Sequence, residues 1–448
     1  MPLTVLAAGV GDPLPKANGN PAISKGETNP VPLDVDSAVA VALAGNPGLE
    51  KIKARAQALA EVPAQVGTLP DPMLSLNALN LPTDTFSLSQ EAMTQMQIGL
   101  GFALPFPGKL GLREQAAEFE AKAAEFDVDE MRLMLVRNVR SSWWNLFFLD
   151  RAISIVQRNK ELLRQFVKIA ETKYKTGQGM QSDVLLAQVE LSKLLEMEIS
   201  LQASRRGQAA ALNAMLGRSA ATRVAVPDNT DESLPSPPDF ETLRKMSMDE
   251  RPVLFAQRQT LEAAHTRVTL AEKDYYPDFK LGAAYGFRRG NNPNGSSRAD
   301  MSSITFSMNL PIFTGSRQDG VLAQRKAEVL KEEYGLDDRV VQVEAEIEQA
   351  LADYRAGREQ AALFKTGIIP QARQTTASML ASYQVSKVDF LNLVRAQVTL
   401  YNYETQYWKT LSASWQAWAR LEAAIGATIP KSIQRDAAAK TDKETVNE

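Results

Sequence analysis

Residues 187–191 have the sequence Ala-Gln-Val-Glu-Leu, and residues 396–400 have the sequence Ala-Gln-Val-Thr-Leu, 209 positions later. The same interval separates Tyr174 from Tyr383 and Gly217 from Gly426. An interval shared by three separate landmarks indicates that the second half of the chain is a copy of the first. The fold is therefore expected to consist of one structural unit that occurs twice.

Landmarks nearer the start of each copy recur at slightly shorter intervals. Pro70-Asp71 matches Pro277-Asp278, and Leu104-Pro105 matches Leu310-Pro311. A Pro-rich stretch at 227–239 lies between the copies and is typical of a joint. The predicted organisation is an extended leader at 1–34, a first repeat at 35–221, a linker at 222–250, a second repeat at 251–426 and a C-terminal tail at 427–448.

Four short segments alternate apolar and polar residues with the period of a β-strand. In residues 95–104 the large apolar side chains share one face, and small or uncharged side chains share the other. Residues 279–288 and 303–310 alternate in the same way, and residues 73–79 do so more weakly. Such strands fit a membrane β-barrel, whose strands are about ten residues long. Two soluble hairpins that rest on helices would show the same alternation.

Each pair of strands precedes a very long helical pattern. Residues 108–175 contain no proline, and their apolar positions recur at helical spacing between charged residues. A second such pattern runs from residue 316 to about 383, where Pro370 predicts a kink or a local break. Each pattern then reaches a turn, at 177–179 or at 386–387, and returns as a second helix. Helical hairpins of this length are typical of coiled coils.

The composition excludes most catalytic and nucleic-acid-binding chemistry. The chain of 448 residues has no cysteine, one histidine and a formal net charge of −3. These values leave no basis for thiolate or multi-histidine metal sites, for histidine triads or for a basic nucleic-acid-binding face. The sequence also has no Gly-rich phosphate loop and no nucleophile motif. We therefore expect a protein that is not an enzyme and that holds no cofactor and no metal.

The number of strands sets a condition on any membrane form of this chain. No segment has the 18 or more consecutive apolar residues of a membrane-spanning helix, which leaves the strands as the membrane candidates. Four strands cannot close a barrel, and lipid tolerates no open sheet edge. If the strands lie in a membrane, the protein must be an oligomer. The alternative is a soluble coiled-coil scaffold or interaction protein, which would also have long helical hairpins.

The repeat, the strands and the hairpins together resemble the TolC family of bacterial outer-membrane efflux factors. The matching segments are the strand-to-helix junctions at 104–109 and 310–317, and the turns with their returning helices at 174–191 and 383–400. The resemblance extends over residues 35–426. Residues 69–82, which begin Leu-Pro-Asp-Pro-Met-Leu-Ser, are more similar to the heavy-metal branch of CusC- and CzcC-like proteins.

This resemblance implies an α+β membrane protein that assembles as a homotrimer. The implied trimer has a twelve-stranded β-barrel in the outer membrane of a Gram-negative bacterium and a twelve-helix α-barrel in the periplasm. A mixed equatorial domain, formed by residues 222–250 with both termini, would surround the α-barrel. The implied function is a passive exit duct in a tripartite efflux system. Its partners would be a periplasmic adaptor (membrane fusion) protein and an inner-membrane pump of the RND type, and its substrates heavy-metal cations.

A duct of this kind needs a gate, and the resemblance implies that the gate lies at the periplasmic turns. Asp183 follows the first turn and Asp389 the second, near positions where family members carry acidic residues that line the constriction. In a trimer these residues would form rings of carboxylates, which favour cations. Either residue could instead cap its helix, because Asp is common just after a turn.

Other residues at the turns are candidates for holding the gate or for docking the adaptor. Tyr174 and Tyr383 lie about one helical turn before each bend, where they could hydrogen-bond to a neighbouring helix or simply pack. The candidates for contact with the adaptor are Gly177, Gly179, Ser386 and Lys387. The alternative for the two glycines is that they end a helix.

Overall fold

The structure is a computed structural model that describes residues 32–385 and 387–430. Three predictions fall wholly or partly outside these residues. The predicted leader at 1–34 is described only from residue 32, and the predicted tail at 427–448 only as far as residue 430. Ser386, a candidate for contact with the adaptor, also lies outside the described residues.

The first copy consists of short helices, a β-hairpin and a long helical hairpin. Its elements are α1 (Val35–Gly45), α2 (Pro47–Ala60), α3 (Val62–Gly67), β1 (Met73–Leu79), β2 (Gln95–Leu104), α4 (Lys109–Lys175) and α5 (Gln181–Met215). With 67 residues, α4 is about 100 Å long at the usual rise per residue. The long hairpin expected from the absence of proline is therefore present.

The second copy has the same order of elements, except that two helices instead of three precede its strands. Its elements are α6 (Phe240–Glu250), α7 (Pro252–Lys273), β3 (Phe279–Phe287), β4 (Met301–Met308), α8 (Gln318–Leu363), a π-helix (Phe364–Ile368), α9 (Ile369–Gln384) and α10 (Phe390–Ile425). Helix α6 lies within the segment 222–250 that the composition indicates as a linker. The division of the chain into domains at 35, 222, 251 and 427 stays a prediction.

The break expected at Pro370 takes the form of the π-helix that precedes it. Proline has no N–H to donate to the carbonyl group of residue 366, and its ring crowds that carbonyl. The wider turn of the π-helix between α8 and α9 accommodates the missing hydrogen bond and the proline ring, and the helix continues as α9. The corresponding helix of the first copy, α4, is continuous. The two long hairpins therefore differ at this point.

The four strands form one antiparallel sheet in the order β1-β2-β3-β4. β1 and β2 have the predicted bounds, β3 ends one residue earlier than predicted, and β4 is shifted by two residues towards the N-terminus. β4 ends at Met308 because that residue pairs with Phe279, the first residue of β3. The large apolar side chains of the sheet are exposed in the single protomer, as they must be if they face lipid.

The core of the protomer lies between the long helices. Trp143, Trp144 and Phe147 of α4 pack beneath α1 and against Trp415 of α10. A second cluster, nearer the turns, brings both hairpins together around Phe166, Tyr383 and Phe390. None of the described helices is both long and apolar enough to cross a membrane.

Candidate gate at the helical turns

The first turn is built around two glycines that tolerate no side chain without strain. Gly177 has a φ of +73°, and a Cβ atom on Gly179 would lie 2.9 Å from the Cβ atom of Lys173. The N–H of Gly177 donates to the carbonyl oxygen of Tyr174 at 3.0 Å, and that of Gln178 to Lys173 at 2.8 Å. These bonds satisfy the last carbonyl groups of α4. Gly177 therefore ends α4, as the alternative interpretation of the glycines predicted, whereas Gly179 lies beyond that helix, directly before the N-cap of α5.

The two candidate gate carboxylates differ in their positions relative to the returning helices. The residue at the N-cap of α5 is Met180, and Asp183 lies within the first turn of that helix. The capping role considered for Asp183 is therefore wrong, although a carboxylate there is favoured by the helix dipole. Asp389 does occupy the N-cap of α10, but its side chain makes no capping hydrogen bond.

The two equivalent tyrosines also lie in different environments. The side chain of Tyr174 is 48% exposed, whereas that of Tyr383 is 5% exposed. The ring of Tyr383 packs against the ring of Phe390, with 5.2 Å between centroids. Tyr383 is thus buried where the second hairpin contacts the first, and Tyr174 is on the surface of the protomer.

Lys173 joins the two hairpins at the level of Tyr383. Its ammonium group donates to the carbonyl oxygen of Tyr383 at 2.7 Å and lies 4.4 Å from the centre of the tyrosine ring. A cation over an aromatic face is attracted by the ring quadrupole, more strongly when partly desolvated. No pattern in the sequence distinguishes Lys173, because it is one of three lysines in residues 168–175.

Asp183 belongs to the same cluster. The pKa of the Tyr383 hydroxyl is raised, first by burial and second by the negative charge of Asp183. Among the described residues the Tyr383 hydroxyl has no hydrogen-bond partner. We call Lys173, Asp183 and Tyr383 the tip cluster. It holds a cation, an anion and a buried aromatic ring at the contact between the two hairpins.

The predicted docking residues lie on the surface of the turns, as far as the structure describes them. Gly177 and Lys387 are exposed, Gly179 is half-buried, and the N–H of Lys387 donates to the carbonyl oxygen of Ser382 at 2.9 Å. In the ranges 32–385 and 387–430, no group of three or more His, Cys, Asp or Glu side chains could hold a metal ion.

Both copies of the repeat match one known protein family. The family model described as "Outer membrane efflux protein" matches residues 38–218 and 243–427, which correspond to the two copies. Over 399 residues the chain is 24% identical to the cobalt-zinc-cadmium resistance protein CzcC of Cupriavidus metallidurans, with 88% of this chain and 90% of that protein covered.

Two solved structures support the fold. The outer membrane protein VceC from Vibrio cholerae superposes with a TM-score of 0.72 at 21% identity, over 88% of this chain and 97% of that chain. CusC, whose crystal structures concern transmembrane channel formation, superposes with a TM-score of 0.73 at 18% identity, over 89% and 93% of the two chains.

Proposed function

Because the chain belongs to the outer membrane efflux protein family, we propose that its helical turns are the gate and docking surface of a duct that exports heavy-metal cations. The family consists of trimeric outer-membrane channels of tripartite efflux systems, with a barrel in the membrane and a helical tunnel in the periplasm. The protein is therefore an outer-membrane efflux channel, and the soluble scaffold considered from the sequence is not favoured.

The observation that carries the gate proposal is the tip cluster. Lys173 belongs to the first hairpin and Tyr383 to the second, so the hydrogen bond of Lys173 and its contact with the tyrosine ring resist separation of the hairpins. Around a threefold axis, Asp183 and Asp389 would contribute six carboxylates to the periplasmic end of the tunnel. Rings of carboxylates favour cations and repel anions. Tyr174, which is exposed in one protomer, would face the tunnel or a neighbouring subunit.

The gate is tested by the double variant Asp183→Asn with Asp389→Asn. We expect a lower permeability ratio of K⁺ to Cl⁻ in single-channel recordings, because the carboxylate rings lose their charge. The matched control is Asp337→Asn, which removes an exposed carboxylate from α8, far along the chain from both turns. An unchanged ratio in the double variant, with trimers of normal conductance, would contradict the acidic gate.

The proposed substrate class follows from the relative CzcC, whose name refers to resistance to cobalt, zinc and cadmium. The duct itself is passive, so the pump is expected to select the substrate and the acidic rings to pass it. We expect a strain without this gene to tolerate less cobalt, zinc or cadmium than its parent, and the wild-type gene to restore tolerance. Unchanged tolerance to all three metals would exclude this substrate class, and the channel function would remain.

The proposed partners are a periplasmic adaptor protein and an inner-membrane pump of the RND type, and the adaptor would contact Gly177, Gly179, Ser386 and Lys387. A photo-crosslinking residue at Gln178 is expected to capture the adaptor in living cells. The same residue at Arg289, in the loop after β3 at the other end of the protomer, is the control. Equal capture at both positions, or none at Gln178, would contradict docking at the turns.

A further inference from the structure

The sheet of one protomer has two open edges. β1 and β4 each pair with a neighbour on one side only. Within a trimeric barrel, β1 of one subunit must pair with β4 of the next, because lipid tolerates no unpaired edge. We propose that this seam between subunits repeats the seam between β2 and β3 inside the protomer. In that register Ser75 pairs with Ser307 of the partner subunit, and Asp71 lies beside Arg317 of the partner subunit.

The internal repeat fixes which positions correspond. Pro277-Asp278 lies 207 residues after Pro70-Asp71, and Leu310-Pro311 lies 206 residues after Leu104-Pro105. If the pair Met73–Gly101 of the first hairpin is moved by these two intervals, it becomes Lys280–Ser307. That pair is present in the second hairpin. The two hairpins therefore share one register, which agrees with the sum of the two intervals, and the landmark at the end of each strand gives each interval separately.

The same displacement carries the β2–β3 seam onto the two open edges. The pair Phe102–Leu281 becomes Met308 with Leu74, and the pair Gly101–Gly282 becomes Ser307 with Ser75. Apolar residues then face apolar residues, and small polar residues face small polar residues. A slip of one residue would reverse these faces. A slip of two residues would preserve them, so the repeat decides the register where alternation cannot.

An aromatic contact beside the internal seam has an apolar counterpart at the open edges. The ring of Phe106 stacks on that of Tyr276, with 4.6 Å between centroids. The segment from Leu310 to Gly315 has one residue more than the matching segment from Leu104 to Gly108, so the counterparts of Phe106 and Tyr276 are Phe313 and Leu69. In the single protomer these two side chains are 75% and 54% exposed. A seam in the proposed register would bring them together and cover both.

An ion pair at the internal seam also has its counterpart. The ammonium group of Lys109, which is buried, lies 3.0 Å from a carboxylate oxygen of Asp278. The equivalent of Asp278 is Asp71, and the equivalent of Lys109 is followed directly by Arg317. Both Asp71 and Arg317 are exposed, and neither forms an ion pair with any described residue. The two open edges thus carry opposite charges at the level where the internal seam has its ion pair.

The register is tested by disulfide formation, for which a chain without cysteine is well suited. Directly opposed residues of an antiparallel pair have Cβ atoms about 4.5–5.5 Å apart, which a disulfide can bridge with little adjustment. In one protomer β2 and β3 separate β1 from β4, so a bond between the two edges must join subunits. We expect oxidised outer membranes with Ser75→Cys/Ser307→Cys to yield covalent dimers and trimers on denaturing gels, reversed by dithiothreitol.

The matched control is a pair that would be opposed only after a slip of two residues. Ser75→Cys/Thr305→Cys places the two cysteines diagonally, with Cβ atoms about 7–8 Å apart. We expect this variant and each single-cysteine variant to remain monomers on denaturing gels, although all are trimers by native mass in detergent. Linkage in the slipped pair, or no linkage in the opposed pair of an intact trimer, would overturn the proposed register.

The charge contact is tested by exchange of the two side chains. We expect Asp71→Arg and Arg317→Asp each to lower the temperature at which the trimer dissociates in detergent, and the double exchange to recover most of the loss. Asp84→Arg, which reverses an exposed charge beyond the opposite end of β1, is expected to leave that temperature unchanged. No recovery in the double exchange would overturn the contact between Asp71 and Arg317 of the partner subunit.

Discussion

The side-chain amide of Gln397 donates a hydrogen bond of 2.6 Å to the side-chain oxygen of Asn159, and both side chains are buried. Gln397 belongs to α10 and Asn159 to α4, so this bond joins the second copy to the first. The amide group of Asn159 donates in turn to the carbonyl oxygen of Ile155 at 2.8 Å. A buried polar pair of this kind is stable only while each partner satisfies the other.

Gln397→Leu leaves the oxygen of Asn159 buried without a partner, which should cost about 1–3 kcal/mol of stability. We expect a lower melting temperature of the trimer by circular dichroism in detergent. The double variant Asn159→Leu/Gln397→Leu removes both polar groups and should melt closer to the wild type. Gln188→Leu, at the exposed equivalent position of the first copy, is the control. A double variant that melts below Gln397→Leu would contradict this account.

Gln188 and Gln397 occupy equivalent positions of the two copies, but Gln188 is exposed and Gln397 is buried. This contrast shows which features the sequence can predict and which it cannot. The repeat interval, the strand alternation and the absence of proline predicted the order of elements and the long hairpins, because these depend on local periodicity. Tyr174 and Tyr383 share one pattern, yet one is exposed and the other buried. Each copy packs against a different neighbour, and no local signal contains that information. The role of Lys173 was missed for the same reason.

Two glycines at the C-terminal ends of α5 and α10 should be intolerant of any side chain. Gly217 has a φ of +67° and Gly426 a φ of +85°. A Cβ atom would lie 2.2 Å from the carbonyl oxygen of Gly45 in the first case and 2.6 Å from that of Glu250 in the second. These are backbone atoms, so the approach of α5 to the end of α1, and of α10 to the end of α6, leaves no room.

We therefore expect Gly217→Ala and Gly426→Ala to lower the melting temperature markedly, because steric overlap adds to the cost of a left-handed backbone. Gly111→Ala is the matched control. Gly111 lies within α4, where a Cβ atom would meet nothing within 4 Å, so alanine should stabilise that helix by up to about 1 kcal/mol. Equal melting temperatures for all three variants would show that the two close approaches do not matter.

A buried carboxyl group should make stability depend on pH. Burial raises the pKa of the Glu422 carboxyl above its ordinary value of 4.5, although the neighbouring Arg140 opposes the rise. Just above pH 4.5 the folded chain therefore keeps a proton that the unfolded chain has released. By linkage, this group's contribution to stability is largest at low pH and falls as the pH rises through that window.

We expect Glu422→Gln to remove this contribution, so that the wild type loses stability relative to the variant as the pH rises from about 4 to about 7. The measurement is the melting temperature of both proteins across that range. Glu161→Gln, which changes an exposed carboxylate of α4, is the control and should run parallel to the wild type. A difference between wild type and Glu422→Gln that stays constant with pH would refute the assignment.

Glu232 connects the π-helix at Phe364–Ile368 to α10. One carboxylate oxygen of Glu232 accepts a hydrogen bond from the Tyr407 hydroxyl at 2.8 Å and lies 3.2 Å from the ammonium group of Lys365. Lys365 belongs to the π-helix and Tyr407 to α10, so Glu232 ties the connecting segment to both helices of the second hairpin. Tyr407 is buried, whereas Lys365 is exposed. The bond to Tyr407 should therefore matter more than the ion pair.

Glu232→Ala deprives the buried Tyr407 hydroxyl of its partner, at a cost of about 1–3 kcal/mol, whereas Lys365→Met removes only an exposed ion pair worth about 1 kcal/mol or less. Tyr407 packs in one buried cluster with Ala361 and Ile369, which flank the π-helix. We therefore expect faster amide hydrogen exchange in peptides that cover residues 360–370 for Glu232→Ala and little change for Lys365→Met. Peptides that cover the first turn, residues 174–191, should exchange at the wild-type rate in both variants. If Lys365→Met accelerates exchange as much as Glu232→Ala, the ion pair and not the tyrosine hydrogen bond secures the π-helix.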